Sequence, residues 1–281
     1  MLATQPPQMP PVPEPDDFQS GSAGMVVGIR ATSRAVLGDA VADAVARATG
    51  RPRRLRRAAR ASPTRRVLVL GIERANEPNL LEHTRRELLT SRHQVRFASA
   101  VAGDRGKFEN LNALLAENPP AEHDWLLVVD DDVALPRHFL DAFIFLAERF
   151  DLRLAQPAHR LRSHAAWEVT RRRPTAIVRE TAFVEIGPVV AFHRSTFDAL
   201  LPFPELRAGW GLDLHWSAVA REHGWKLGVV DATPMRHGLR PIAGSYDRSD
   251  AVAEARRFLS GRPYTPATEA KRTLVTHRTW T

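Results

Sequence analysis

Three consecutive aspartates, Asp130, Asp131 and Asp132, are the residues whose type and spacing point most directly to chemistry. They follow the apolar run at residues 125–129, which predicts a strand buried on both faces of a parallel sheet. Adjacent carboxylates repel one another unless a positive group lies among them. A divalent cation shared with a substrate phosphate would relieve that repulsion, and ligands of open α/β sheets bind at the carboxyl ends of strands. The triplet therefore predicts a metal-diphosphate site; the alternative is a solvated acidic loop that caps the next helix.

The elements around this triplet alternate between strands and helices. Strand patterns cover 67–72 and 95–102, and helical patterns cover 78–90, 108–117 and 137–150. This alternation predicts a parallel sheet with right-handed crossovers. Further on, the patterns predict strands at 152–157, 183–192 and 226–231, helices at 195–201 and from about 208 to 223, and a last helix from a Ser249 cap to Leu259. The Arg- and His-rich stretch 159–180 is expected to be a long loop that contacts substrate.

Composition limits the function classes open to the chain. It has 281 residues and no cysteine, which excludes disulfides, thiolate metal sites and a cysteine nucleophile. No apolar run is long enough to span a bilayer and no signal-peptide pattern opens the sequence, so we expect a cytoplasmic protein. The net charge of +8 suits phosphate-bearing partners, among them nucleotide-sugars, nucleic acid and anionic membranes.

Four regions are expected along the chain. Residues 1–24 predict a disordered Pro-rich tail, and 25–65 a basic helical leader or linker. Residues 66–262 predict the folded domain, and 263–281 a polar C-terminal tail. Six arginines lie within residues 51–60; such a run is typical of a solvated linker, and the alternative is contact with a nucleic-acid backbone or an anionic surface through residues 51–66.

Three segments occur in a characteristic order: a strand ending in the Asp triplet, Gly-Trp-Gly-Leu-Asp at 209–213, and a strand followed by Asp231 and His237. Together they resemble the nucleotide-sugar-dependent glycosyltransferases of the GT-A fold, in the family-2-like and exostosin-like groups. The stretch 183–237 is most similar to a glycosyltransferase-like domain family of unknown function. The resemblance covers about residues 66–240. It implies an α/β fold of the GT-A type, which is a Rossmann-like three-layer sandwich with a mostly parallel central sheet.

The resemblance implies a Mn²⁺ or Mg²⁺ cofactor that bridges the nucleotide diphosphate. Asp132 would be the metal ligand, with Asp130 and Asp131 near the ribose, the metal or its waters, and His237 would complete the metal site. A cation there would stabilise the charge that builds on the departing diphosphate, and imidazole suits Mn²⁺ better than Mg²⁺. The alternative for His237 is an ordinary loop histidine.

The acceptor side is implied by the segment 209–213. Asp213 would take the proton from the acceptor hydroxyl, as in inverting members, while Trp210 offers a flat face and Gly211 allows backbone approach to the sugar. Many members carry two acidic residues here, whereas this chain has Leu212-Asp213, and the alternative for Asp213 is a helix N-cap. Glu185, in an apolar strand, would touch acceptor or sugar, or face a neighbouring arginine.

A second segment resembles the donor side of the family. Lys107 would pair with phosphate, Asp104 would reach the base and Asn110 lies on the same helix; the alternative for all three is a solvated helix start. The arginines at 171–173 would lie over the diphosphate or, alternatively, in solvent.

These observations predict a cytoplasmic, metal-dependent glycosyltransferase that moves a sugar from a UDP- or GDP-linked donor to an acceptor hydroxyl, with inversion. One alternative is a nucleic-acid or membrane-surface binding protein that acts through the leader and has a catalytically idle α/β domain. Another is a metal-dependent nucleotidyltransferase or phosphohydrolase. It would need further acidic ligands on neighbouring strands, and Asp231 and Glu73 are the candidates present.

Overall fold

Strands and helices alternate in the first half of the domain, from Arg66 to the strand that ends at Asp130, as the sequence predicts. The structure is a computed structural model that describes residues 17–19, 26, 28–238 and 247–281, so the expected tail at 1–24 lies outside the described residues apart from 17–19. The elements in chain order are α1 Ile29–Ala48, α2 Arg51–Ala61, β1 Arg66–Glu73, α3 Leu81–Leu89, β2 Gln94–Val101, α4 Lys107–Glu117, β3 Trp125–Asp130, β4 Val133–Ala134, α5 Phe139–Arg149, β5 Leu152–His159, β6 Val178–Thr181, β7 Val189–His193, α6 Phe197–Leu200, α7 Leu212–Glu222, β8 Lys226–His237, α8 Arg248–Leu259, α9 Ala267–Ala270 and β9 Thr273–His277.

Within the described residues, the strands form one nine-stranded sheet in the order β2-β1-β3-β7-β5-β8-β6-β9, with β4 paired to β8 outside this path. Strands β2, β1 and β3 pair in parallel, and so do β5 and β8. Strand β7 lies antiparallel between β3 and β5, and β6 lies antiparallel between β8 and β9. Among the described strands in this order, β6 and β7 are the two that run antiparallel to the rest. The expected mostly parallel sheet is therefore confirmed.

Helices cover both faces of the sheet, because successive residues of the central strands point to opposite sides. Leu68 and Leu70 of β1 pack with α4, α7 and α8 in one buried cluster, whereas Val67 and Val69 pack with α2, α3 and α5 in the other. The result is the three-layer α/β sandwich that the sequence predicts. Among the described residues, no helix is both long and apolar enough to cross a bilayer.

The basic leader is attached to the sandwich. Helix α2 buries Leu55 and Ala59 in the cluster that contains α5. Asp39 of α1 is 2% exposed and accepts hydrogen bonds from the backbone nitrogens of Leu161 and Arg162 at 3.1 and 3.2 Å. The described leader is helical over Ile29–Ala48 and Arg51–Ala61, and its Arg-rich part is one side of a packed helix.

The C-terminal segment also belongs to the sheet. Strand β9 pairs antiparallel with β6, from Val178 opposite His277 to Thr181 opposite Thr273. The sheet therefore extends beyond residue 262, where the sequence places the end of the domain. The polar composition of this segment reflects its position at the sheet edge, where Leu274 and Val275 stay exposed.

Three boundaries differ from those expected. The strand expected over 183–192 begins at Val189, because Pro188 has no N–H to give to a ladder. The expected loop 159–180 contains a short 3₁₀ helix and the start of β6. Helix α8 is capped by Asp247 in place of Ser249, since the Asp247 carboxylate accepts from the backbone nitrogens of Ser249 and Asp250.

Candidate functional site

A cleft of about 1180 Å³ opens at the carboxyl ends of β1 and β3. The loop before β7 reaches the same edge, because β7 runs antiparallel to β3. The predicted site residues that line the cleft are Lys107, Asn110, Asp130, Asp131, Asp132, Glu185, Trp210, Gly211, Asp213 and His237. The fold thus gathers residues from β3, α4, the loop before β7, the start of α7 and the end of β8 in one place.

Asp130 forms an ion pair with Lys107, with Oδ1 and Nζ 2.6 Å apart. The same Nζ donates to the backbone oxygen of Ile186 at 3.1 Å. Gly187 makes room for this pair, since a Cβ there would lie 2.7 Å from the lysine Nζ and 2.8 Å from the Asp130 Oδ2. Both charged side chains remain about a quarter exposed toward the cleft, at 22% for Lys107 and 26% for Asp130. The lysine is thereby available to an anionic ligand.

The start of α4 is held in place by the loop before α7. Lys107 N donates to the backbone oxygen of Arg207 at 3.0 Å. Gly106 packs against the same residue so closely that a Cβ would lie 2.1 Å from the Arg207 Cα. This contact fixes the backbone of Lys107 at the edge of the cleft.

Asp131 is bound to the residues that follow β1. Its side chain is fully buried and accepts hydrogen bonds from Arg74, from N at 2.8 Å and from Nη2 at 2.7 Å. Its backbone oxygen accepts from Leu80 N at 2.5 Å. The carboxylate therefore anchors the loop that follows β1.

Asp132 lies beside His237, with Oδ2 and Nε2 3.1 Å apart. The His237 Nδ1 lies 2.9 Å from the backbone oxygen of His164, which can only accept, so Nδ1 carries a proton. Burial lowers the pKa of His237, but the hydrogen bond and charge of Asp132 outweigh it and raise that pKa above its ordinary value. Strand β8 brings this histidine to the triplet, because its end pairs with β4 and places His237 opposite Val133.

This pair fits a first-row cation in donor chemistry. A carboxylate oxygen and an imidazole nitrogen, the latter oriented by a carbonyl bonded to its other nitrogen, form a suitable ligand set for Mn²⁺. In the part of the chain that the structure describes, no group of three or more His, Asp or Glu side chains could hold a metal ion, so the expected set of Asp130, Asp132 and His237 is not assembled. Asp130 is paired with Lys107. A cation at Asp132 and His237 would take further ligands from diphosphate oxygens and water.

Asp213 lies in the first turn of α7 and is 7% exposed. Gly211 holds the N-cap position, so Asp213 is not the helix cap that the alternative interpretation required. Burial raises the pKa of Asp213, the charge of Glu185 adds to that effect and backbone hydrogen bonds lower it, so that the pKa is about 7. A carboxyl group with a pKa near neutrality suits proton transfer at physiological pH.

Glu185 is buried and already bonded. Its Oε2 lies 3.1 Å from His159 Nε2, and its Oε1 accepts from Thr170 Oγ1 at 2.7 Å and from Trp167 N at 3.0 Å. Its own backbone nitrogen donates to Gln156 Oε1 at 2.5 Å. Although Glu185 borders the cleft, these contacts indicate that it orders the cleft wall instead of binding acceptor or sugar.

The aromatic and glycine residues before α7 are set by packing. Gly209 and Gly211 have φ of 77° and 82°, in the left-handed region. A Cβ on Gly209 would lie 2.0 Å from the Phe108 ring, and one on Gly211 would lie 2.9 Å from Leu259. Both glycines are thus explained without a sugar. Trp210 lines the cleft, and the guanidinium of Arg248 lies 5.7 Å from its ring centroid.

The other donor-side candidates are structural. Asn110 Nδ2 donates to the backbone oxygens of Arg105 and Gly106 at 3.1 and 3.0 Å, which holds the loop before α4. Asp104 is exposed and its side chain lies outside the cleft lining. Its backbone oxygen accepts from Arg207 Nη2 at 2.6 Å, so we assign its segment to loop structure.

The arginines at 171–173 lie outside the lining of the cleft, and Asp231 is paired elsewhere. Arg172 binds Asp43 of α1 at 2.7 Å, and Arg171 donates to the backbone oxygen of Leu161 at 3.0 Å. Asp231 and Arg179 form a fully buried pair, with Oδ2 and Nε 2.8 Å apart. These arginines therefore do not lie over the cleft, and Asp231 does not supply the extra acidic ligand that a nucleotidyltransferase would need.

Sequence reasoning missed Arg74 and His164. Arg74 directly follows β1, so its place at the carboxyl end of a strand was a usable signal. His164 lines the cleft and fixes His237 through its backbone oxygen, a contact that no side-chain pattern reveals.

No protein-family model and no curated protein matches this chain. Solved structures similar to it include A197 from STIV, at 10% identity and a TM-score of 0.44, over 62% of this chain and 86% of that one. S. aureus TarS residues 1–349 in complex with UDP-GlcNAc is similar at 11% identity and a TM-score of 0.48, over 70% of this chain and 66% of that one. GalNAc-T7 with UDP, GalNAc and Mn²⁺ is similar at 11% identity and a TM-score of 0.45, over 70% of this chain and 48% of that one. The present chain therefore spans about half the length of the GalNAc-T7 chain. Likeness at this level carries no information on substrate or mechanism.

Proposed function

We propose that this protein is a metal-dependent glycosyltransferase that uses a nucleotide-sugar donor and a hydroxyl acceptor. The observation that carries the proposal is the juxtaposition at one cleft of the Asp132–His237 pair, the cationic Lys107 and the buried acid Asp213. A diphosphate needs the first two, and deprotonation of a hydroxyl needs the third. The proposed function is the one expected from the sequence, but it assigns roles to fewer residues than the resemblance implied.

Each residue has a distinct task in this proposal. Asp132 and His237 would hold a divalent cation, which supplies charge stabilisation at the departing diphosphate. Lys107 would pair with a phosphate oxygen in addition to Asp130. The carboxylate of Asp213 would take the proton from the acceptor hydroxyl. Direct attack by the hydroxyl oxygen of the acceptor on the anomeric carbon leads to inversion. The sugar bond to the diphosphate breaks as the new glycosidic bond forms.

Burial of Asp213 contributes to this chemistry in two ways. It raises the pKa of the carboxyl to about 7, so that a large fraction is ionised and basic enough to take a proton near neutral pH. It also keeps bulk water from the base, which favours attack by a bound hydroxyl over hydrolysis of the donor.

Thermal melting with Mn²⁺ and nucleoside diphosphates tests the donor site. We expect UDP or GDP together with Mn²⁺ to raise the melting temperature, because a ligand that binds the native state alone stabilises it. The shift should vanish in Asp132→Ala and in His237→Gln. The control is Asp198→Ala, an exposed aspartate on α6. If no diphosphate shifts the melting temperature, or if Asp132→Ala retains the full shift, the donor-site proposal is wrong.

A further inference from the structure

One face of helix α1, which carries both of its acidic residues, is docked on the sandwich. Asp39 accepts from the backbone nitrogens of Leu161 and Arg162, and Asp43 pairs with Arg160 and Arg172. Ala42 completes this face and is 6% exposed. The orientation of α1 is thereby fixed by buried ionic and hydrogen-bonded contacts.

The opposite face of α1 is apolar and exposed. Leu37, Val41 and Val45 recur every four residues, so they form one stripe along the helix, and their exposed fractions are 65%, 55% and 53%. Val36 and Ile29 are also exposed, at 41% and 87%, but they lie three and ten residues before Asp39 and so flank the docked face instead of the stripe. A contiguous stripe of large apolar side chains in water is unusual for a surface helix and marks an interaction surface.

The charges around this stripe are of one sign. The leader's acidic residues from Ile29 to Ala61 are Asp39 and Asp43, and both are engaged with the sandwich. Exposed arginines occur on both helices, at Arg30, Arg34, Arg47, Arg53, Arg54, Arg57 and Arg60. The outer surface of the leader is therefore apolar and cationic, with no exposed carboxylate between residues 29 and 61.

We propose that residues 29–61 are a docking surface for an anionic phospholipid bilayer. The stripe of α1 would enter the region between headgroups and acyl chains, and the arginines would pair with headgroup phosphates. A nucleic acid would use the arginines but would leave the stripe in water, and the leader offers no aromatic side chain for base stacking. The bilayer is the partner that satisfies both features.

Flotation of the full-length protein with vesicles tests this proposal. We expect it to float with vesicles of phosphatidylcholine mixed with phosphatidylglycerol, and to float weakly with phosphatidylcholine alone. Leu37→Asp with Val41→Asp should weaken binding to the mixed vesicles by about tenfold or more, because two apolar anchors are lost. Arg53→Glu with Arg57→Glu should remove the preference for anionic lipid and reduce the sensitivity of binding to salt. Leu89→Asp, at an exposed apolar position on α3, is the matched control and should bind as the unmodified protein does.

Three results would overturn the proposal: no flotation of the unmodified protein with mixed vesicles, equal flotation of the stripe variant, or tight binding of a DNA or RNA oligonucleotide that the arginine variant alone abolishes. A second copy of the chain as the occupant would appear as a dimer in light scattering that the stripe variant converts to a monomer, and this too would refute bilayer docking. The melting shift with Mn²⁺ and UDP or GDP should be unchanged in all of these variants. Failure of vesicle binding is therefore distinguishable from failure of the proposed transferase activity.

Discussion

Replacing Asp213 by Asn should make the protein more stable at alkaline pH while it removes the base. The carboxyl is 7% exposed, and burial raises its pKa from 3.8 to about 7. Between these two pH values the unfolded chain is ionised and the folded protein holds a proton, so the free energy of unfolding falls as the pH rises. At about 1.36 kcal/mol per pH unit, the free energy of unfolding at pH 7 and above is lower than at pH 4 by up to about 4 kcal/mol.

An asparagine side chain has no charge to bury, and its oxygen can still accept from Leu214 N, which lies 3.0 Å from Asp213 Oδ1. We therefore expect Asp213→Asn to match the unmodified protein in stability at about pH 4 and to exceed it by up to about 4 kcal/mol at about pH 8. In the same variant turnover should fall by about 10²- to 10⁴-fold, as for loss of a general base. Donor binding should be retained.

Urea unfolding of both proteins at each pH measures the first effect, and the Mn²⁺–diphosphate melting shift measures the retained donor site. Asp198→Asn, on the surface, is the control and should change neither quantity. A stability difference that is the same at both pH values would refute the raised pKa. Unchanged turnover would refute the assignment of Asp213 as the base.

Three further substitutions test the remaining parts of the structure. Gly187→Ala should displace the Lys107–Asp130 pair and weaken Mn²⁺–diphosphate binding in calorimetry without lowering the melting temperature. The control is Gly103→Ala, where a Cβ meets nothing within 4 Å, and it should change neither quantity. Equal affinities of the two variants would contradict the lysine's role. Arg179→Met should lower the free energy of unfolding in urea by about 3–5 kcal/mol, because it leaves the Asp231 carboxylate buried without its cation. Adding Asp231→Leu should recover part of this free energy. A decrease below about 1 kcal/mol would argue against the buried pair. Asp39→Ala should release α1 and speed hydrogen exchange of its amides, with Ser33→Ala as the control, and unchanged exchange would show that other contacts hold the leader.

The sequence predicted the first half of the sheet well, because strands β1 and β3 are apolar and their helices have clear faces. It predicted the triplet's position for the same reason, since Asp130 to Asp132 end a strand that is buried on both sides. It also predicted that Asp213 opens a helix. These are local patterns of period 2 and 3.6, and local patterns survive tertiary context when a segment is fully buried.

The partners of the triplet were not predictable, because each lies far along the chain and is chosen by topology. Arg74 reaches Asp131 from 57 residues away. His237 meets Asp132 because β8 continues past residue 231 to pair with β4. Strand β9 was missed since Leu274 and Val275 are exposed at an edge, where hydrophobic alternation is weak. The docking of α1 had one signal, the pair Asp39 and Asp43 one turn apart in an otherwise basic leader.

The three neighbouring aspartates bind three different partners, and this has a consequence for how variation at these positions is interpreted. Asp131 secures the loop after β1 with a fully buried carboxylate, while Asp132 contacts the histidine of the cleft and Asp130 the lysine. In a selection that measures protein abundance, substitutions at position 131 should be depleted, whereas those at 130 and 132 should persist. In a selection for activity all three positions should be depleted. Of the three identical residues, position 131 would therefore be constrained by folding, and positions 130 and 132 by function.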